Sequence, residues 1–155
     1  MLGVRSYVWA SIGGVGVLLL TACGGDGGER LSKAEWIEQA DAICARASED
    51  VEALTEPTKL DEIPEFTDTA SEISRDALSD LRALQPPEED QTTVDEMLDL
   101  VEQQIEIGEQ IGEAAADGDQ DEVQRLADET DPIENEADEK ARQYGLNDCG
   151  NDSDR

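Results

Sequence analysis

Ser32-Lys33-Ala34-Glu35-Trp36-Ile37-Glu38-Gln39-Ala40-Asp41-Ala42-Ile43-Cys44 is the stretch whose reading decides the fold. Ser32 and Glu35 have the Ser-x-x-Glu spacing of a capping box, in which each side chain satisfies a backbone N–H that the first helical turn leaves unpaired. Behind it Trp36, Ala40, Ile43, Ala47, Val51 and Leu54 recur at steps of three and four, with Ile37 and Cys44 widening the stripe. Glu38, Gln39, Asp41, Arg46, Glu49 and Asp50 take the other faces. A helix over about 33–55 follows, and its one apolar stripe needs partner helices to cover it.

The same period returns three times along the chain. Phe66, Ala70, Ile73, Ala77, Leu81 and Leu84 predict a second helix over about 65–84, with Pro57 and Pro64 bracketing the loop before it and Pro86-Pro87 ending it. Residues 88–92 are acidic and polar and suit a first helical turn, where the helix dipole favours negative charge. Val94, Met97, Leu98, Val101, Ile105, Gly108, Ile111 and Ala115 form a third stripe that stops at Asp117-Gly118. Gly108, on the apolar face, predicts the close approach of a neighbouring helix.

Asp119 and Glu122 offer a second capping box ahead of Val123, Leu126, Thr130, Ile133, Ala137, Ala141 and Tyr144. Pro132 predicts a kink or a division of this fourth helix near Thr130 and Asp131. Gly145 followed by Leu146 predicts its end, with glycine left-handed and an apolar residue folding back. Strand signals are absent, and no internal repeat stands out beyond the shared helical period. The expected fold is all-α, a four-helix up-down-up-down bundle with short connections.

With 155 residues and only 3% aromatics, the chain supports one domain whose interior is built from Leu, Ile, Val and Ala. Asp and Glu number 40 against 11 Lys and Arg, a formal charge of -29. Such a surface repels nucleic acid, so no nucleic-acid partner is expected; it can attract cations or basic partners, or serve solubility alone. Histidine is absent, which removes the commonest general base and metal ligand and, with them, most hydrolase triads and zinc sites.

At the N-terminus, Arg5 precedes an apolar run from Val8 to Leu20. Its ~13 residues span ~20 Å as a helix, short of the ~30 Å of a bilayer core, and Gly13, Gly14 and Gly16 weaken it further. A cleaved export signal fits this pattern better than a spanning anchor. Leu20-Thr21-Ala22-Cys23 closes the run, and here the sequence resembles the bacterial lipoprotein family, matching all four positions of its lipobox. The resemblance implies cleavage between Ala22 and Cys23 and a diacylglyceryl group on the Cys23 sulfur. It also implies an address at the extracytoplasmic face of the cell membrane, with the membrane engaged through that lipid. The organisation expected is signal peptide 1–22, Gly-rich tether 23–30, helical domain 31–150 and disordered tail 151–155.

Lipid on Cys23 leaves Cys44 and Cys149. In an antiparallel bundle the end of the fourth helix lies beside the start of the first, and residues 145–149, if extended, reach ~13 Å back along it. A disulfide is geometrically allowed and suits an oxidising exterior. The alternative is two free thiols with Cys44 buried. A catalytic dithiol pair normally sits closer in sequence.

Residues 31–150 also resemble small actinobacterial lipoproteins of uncharacterised function. The similar features are Leu31-Ser32-Lys33-Ala34-Glu35 leading into Ala40-Asp41-Ala42-Ile43-Cys44, the Leu84-Gln85-Pro86-Pro87 break, and the closing Tyr144-Gly145-Leu146-Asn147-Asp148-Cys149-Gly150. The resemblance speaks to fold and address and brings no activity with it.

Asp117, Asp119 and Asp121 invite a calcium-loop reading, but Glu122 stands where that loop needs its glycine and Asp128 where it needs a bidentate Glu. Helix capping explains the same residues. Trp36 and Tyr144 are expected at paired helix ends, as core plugs or as a binding spot. No catalytic, cofactor or metal residues are expected. The functional expectation is a non-enzymatic, lipid-anchored interaction or binding module of the cell envelope, its partner an unknown envelope protein. The second reading is a cation or small-ligand binding protein that uses its acidic surface or a crevice between helices.

Overall fold

The computed structural model describes residues 30–149. The signal peptide, the cleavage site between Ala22 and Cys23, the lipidation of Cys23, the tether up to residue 29 and the tail 151–155, all expected from sequence, fall on residues outside those described. The described residues are all-helical, with α1 at Lys33–Glu52, α2 at Ile63–Ala83, α3 at Gln91–Ala116 and α4 at Gln120–Tyr144. Short 3-10 turns at Leu60–Glu62 and Glu88–Asp90 lead into α2 and α3.

Local chemistry sets the helix ends. The Glu35 carboxylate accepts the Ser32 backbone N–H at 3.0 Å while the Ser32 hydroxyl accepts the Glu35 N–H, so the first capping box is complete. α1 stops at Glu52, about a turn short of the expected end, and Leu54 falls in the connection before Pro57. α2 starts earlier than expected and takes Pro64 into its first turn. The missing proline N–H is no loss there, because that turn has no intrahelical acceptor for it.

At α4 only half of the second box forms. Asp119 accepts the Glu122 N–H at 3.0 Å, but the Glu122 carboxylate turns to Arg125 instead. α4 runs through Pro132 without division. Proline removes one backbone bond, that of the Asp128 carbonyl, and both residues lie on the exposed face where water can solvate it. Gly145, at φ 112°, ends the helix, and the Leu146 N–H bonds back to the Ala141 carbonyl at 3.0 Å.

α3 packs between α2 and α4, and α1 lies against α2. The α2–α3 seam is close at Gly112, where an added Cβ would overlap the Thr67 side chain. At Gly108, where the sequence predicted that approach, an added Cβ would sit an ordinary 3.9 Å from the Ser71 hydroxyl. α2 buries Ser71, Leu78 and Leu81, while Phe66, Ala70, Ile73 and Ala77 from its apolar stripe stay half-buried. α2 thus has two inward faces, and the one toward α3 is built partly from small polar residues that a search for apolar period passes over.

The main core gathers at one end: Trp36, Ala40, Leu78, Leu81, Val94, Met97, Leu98, Ala141, Tyr144 and Leu146. Hydrogen bonds at this end join the start of α1 to the α2–α3 connection, with Leu31 N–H donating to the Gln85 carbonyl and the Arg30 guanidinium to the Pro86 carbonyl, both at 2.8 Å. A smaller cluster of Ile107, Ala114 and Leu126 seals α3 against α4 further along.

Candidate ligand-binding cavity

Beside the main cluster the space between the helices is not filled. A cavity of about 250 Å³ lies there, open on one side and lined from all four helices. Its cause is side-chain size. α1 and α2 present Ala47, Ser48, Ser74 and Ala77 to the centre, and Met97, Leu98 and Val101 of α3 cannot reach across. α4 adds Thr130, Glu134, Ala137, Asp138 and Ala141. α1 and α4 are not closely packed along their length; they are drawn together at one end by an aromatic pair and by the residues that follow α4.

At that end Trp36 meets Tyr144 edge to face, with ring centroids 5.5 Å apart and planes at 90°, so the expected meeting of these two rings is there. The Tyr144 hydroxyl donates to Asp90 at 3.0 Å, and the Lys33 ammonium lies 3.9 Å from the centre of the Tyr144 ring. Burial, and then the Asp90 carboxylate accepting from the hydroxyl, hold the Tyr144 phenol well above its usual pKa. Trp36 is 1% exposed, and its indole N–H has no protein acceptor.

After Gly145 the chain doubles back as a strap. Leu146 is buried in the core, and the backbone N–H groups of Asn147 and Asp148 each donate to the Asp41 carboxylate at 2.9 Å. Cys149 then reaches Cys44, with sulfurs 2.09 Å apart and Cα atoms 5.1 Å apart. The strap supplies Leu146, Asp148 and Cys149 to the cavity wall, and the disulfide, expected only as a staple, is part of that wall.

Among the described residues the lining carries three carboxylates, Glu134, Asp138 and Asp148, and no lysine or arginine. Asp138 is the unusual one, its side chain only 7% exposed, with Arg142 at 3.7 Å and itself half-exposed. Sequence reasoning missed it, although the signal was present: Glu134, Ala137, Asp138 and Ala141 follow the three-four spacing of the inward stripe, which puts Asp138 inside. Elsewhere the few basic side chains neutralise acids across seams, Arg75 with Glu109, Arg82 with Asp99 and Glu102, and Lys140 with Glu96.

Of the Asp117, Asp119 and Asp121 run, Asp119 is engaged as the α4 cap. Among the described residues no helix is long and apolar enough to cross a membrane. Comparison with family models, with curated proteins and with solved structures returned no match.

Proposed function

We propose that this chain is a lipid-anchored binding protein of the cell envelope. In this reading it is cleaved between Ala22 and Cys23 and tethered through Cys23 to the extracytoplasmic face of the cell membrane. There it presents an up-down-up-down bundle that takes up a small ligand and catalyses no reaction. The single observation that carries the binding part is the apolar cavity between the helices. At about 250 Å³ it exceeds the ~150 Å³ of a dry cavity that accommodates benzene, and falls just below the ~300 Å³ where drug-sized pockets begin. It suits a compact molecule rather than a peptide or a long acyl chain. The address rests on the lipobox, and the non-enzymatic part on a sequence without histidine.

A melting-temperature screen of the full chain against compact apolar probes such as indole and 2-phenylethanol tests the binding part. A saturable rise is expected, together with its loss in Ser74→Phe, which fills the cavity from α2. No rise with any probe of this size contradicts it.

A further inference from the structure

We infer that the cavity takes a compact neutral carbonyl compound, a ketone or ester whose apolar body lies among Leu78, Met97, Leu98 and Val101 and whose oxygen accepts a hydrogen bond from the Trp36 indole N–H. This rests on the binding function proposed above and names the class of its ligand.

The first argument is an unanswered donor. Among the described residues, the Trp36 indole N–H is the buried side-chain polar group without a hydrogen-bond partner. Buried polar groups in folded proteins are almost always paired, and a buried tryptophan normally finds an acceptor for its N–H. Its neighbour shows the usual pattern: the Tyr144 hydroxyl, on the ring that Trp36 meets edge to face, donates to Asp90 at 3.0 Å. Trp36 is 1% exposed, so bulk solvent does not answer its N–H. It belongs both to the main core and to the cavity wall, alongside Leu78, Met97 and Leu98, so the indole stands on the apolar inner stretch of that wall.

The second argument is what can answer that donor. An N–H needs a lone pair, which an ammonium group does not have. An anion has lone pairs, but at a formal charge of -29 the field of the whole molecule repels it. A neutral acceptor remains. Among neutral acceptors a carbonyl suits an apolar wall best, because it brings lone pairs and no O–H or N–H of its own that the wall would have to meet. At about 250 Å³ the space accommodates such a group on a single small ring.

Four ligands of one flat outline decide the matter: acetophenone, α-methylstyrene, benzoate and benzamidine. On the same ring they place a neutral acceptor, an isosteric methylene without lone pairs, an anionic acceptor and a cationic donor. In the full chain carrying Trp9→Phe, Trp36 is the one remaining indole, and proton–nitrogen correlation spectra follow its N–H during titration at low salt. The Trp36 proton is expected to move downfield with acetophenone, as a donated hydrogen bond requires, and not with α-methylstyrene. Acetophenone is also expected to bind more tightly than benzoate or benzamidine. Replacing the Trp36 indole by benzothiophene keeps the bicyclic ring and removes the N–H, and is expected to lower the ratio of acetophenone to α-methylstyrene affinity at least about five-fold. The spectra need no change to the core, so they decide even where the sulfur analogue does not fold. The inference is overturned if ketone and alkene move the Trp36 proton alike, if benzamidine binds more tightly than acetophenone, or if the folded analogue leaves the ratio intact. In those cases the cavity remains a binding site and only the class of its ligand is wrong. If none of the four binds, the cavity reading falls as well.

Discussion

The Asp41 carboxylate accepts the backbone N–H of Asp148 at 2.9 Å, tying the residues after the last helix to the middle of the first. Asn147 donates to the same carboxylate, and one turn along α1 Cys44 is bonded to Cys149. A half-buried acid on α1 thus acts as an anchor for two backbone donors, and the strap it fixes closes one side of the cavity. Replacing Asp41 with Ala leaves those two donors to water and is expected to cost about 1–2 kcal/mol of unfolding free energy by denaturant titration. The variant is also expected to show faster hydrogen exchange at residues 146–148 than elsewhere in the core.

The disulfide acts on the unfolded state. Closing a loop with a sequence separation of 105 residues stabilises by up to ~4–5 kcal/mol in the chain-entropy model. Reduction, or Cys149→Ser, is expected to lower unfolding free energy by about 2–5 kcal/mol. If the two proteins share one denaturation midpoint with and without reductant, the bridge contributes nothing.

Gly108 and Gly112 lie one turn apart on α3 and are expected to respond oppositely to alanine. At Gly112 the new Cβ overlaps the Thr67 side chain, so Gly112→Ala should destabilise by about 1–3 kcal/mol, partly recovered by adding Thr67→Ser. Gly108→Ala meets only the Ser71 hydroxyl at contact distance and should be neutral or stabilising, by up to about 1 kcal/mol from helix propensity. Thermal melts of the two single variants and the Gly112→Ala, Thr67→Ser double variant check this.

Tyr144 gives the fold an alkaline limit. Its folded-state pKa is raised by burial and by donation to Asp90, so the neutral phenol is the form that folding favours. That contribution is complete below the unfolded value of about 10 and is lost as pH rises above it. Stability is expected to fall above about pH 10, and Tyr144→Phe, which cannot ionise, to flatten that fall. Ultraviolet titration of the phenolates alongside the melts assigns the loss to this residue.

Charge supplies a fifth test. A formal charge of -29 on a chain of 155 residues means net repulsion in the compact state, screened by salt. Melting temperature is expected to rise between low ionic strength and ~0.5 M sodium chloride, the reverse of what surface ion pairs such as Arg75–Glu109 alone would give. A fall would mean that these pairs outweigh the repulsion.

The helices were legible because capping and period are local. Ser32 with Glu35, the Trp36–Ala40–Ile43 steps and Gly145-Leu146 each report on a few neighbouring residues, and each forms as read. Of the two outcomes Pro132 signals, the division does not occur, because a proline signals the bond it removes, while the exposed position that makes the loss tolerable depends on the packing of α4. Gly112 and Thr67 belong to different helices, and only their meeting makes the glycine matter. The cavity was the least legible feature of all. Ala47, Ser48, Ser74 and Ala77 are unremarkable one by one, and the space between them exists only once four helices are arranged around it. Asp138 stood on the inward stripe of α4 from the start, but among so many acids a single inward one carried no contrast.

The central proposal about where this protein works is a domain exported and held at a membrane surface. Mass spectrometry of the protein extracted from its native membranes tests that most directly. The account predicts an N-terminal peptide beginning at Cys23 with a diacylglyceryl group on its sulfur, together with a peptide pair linked through Cys44 and Cys149. A chain that still carries residues 1–22, or a Cys23 without lipid and bonded to Cys44 or Cys149, would contradict it.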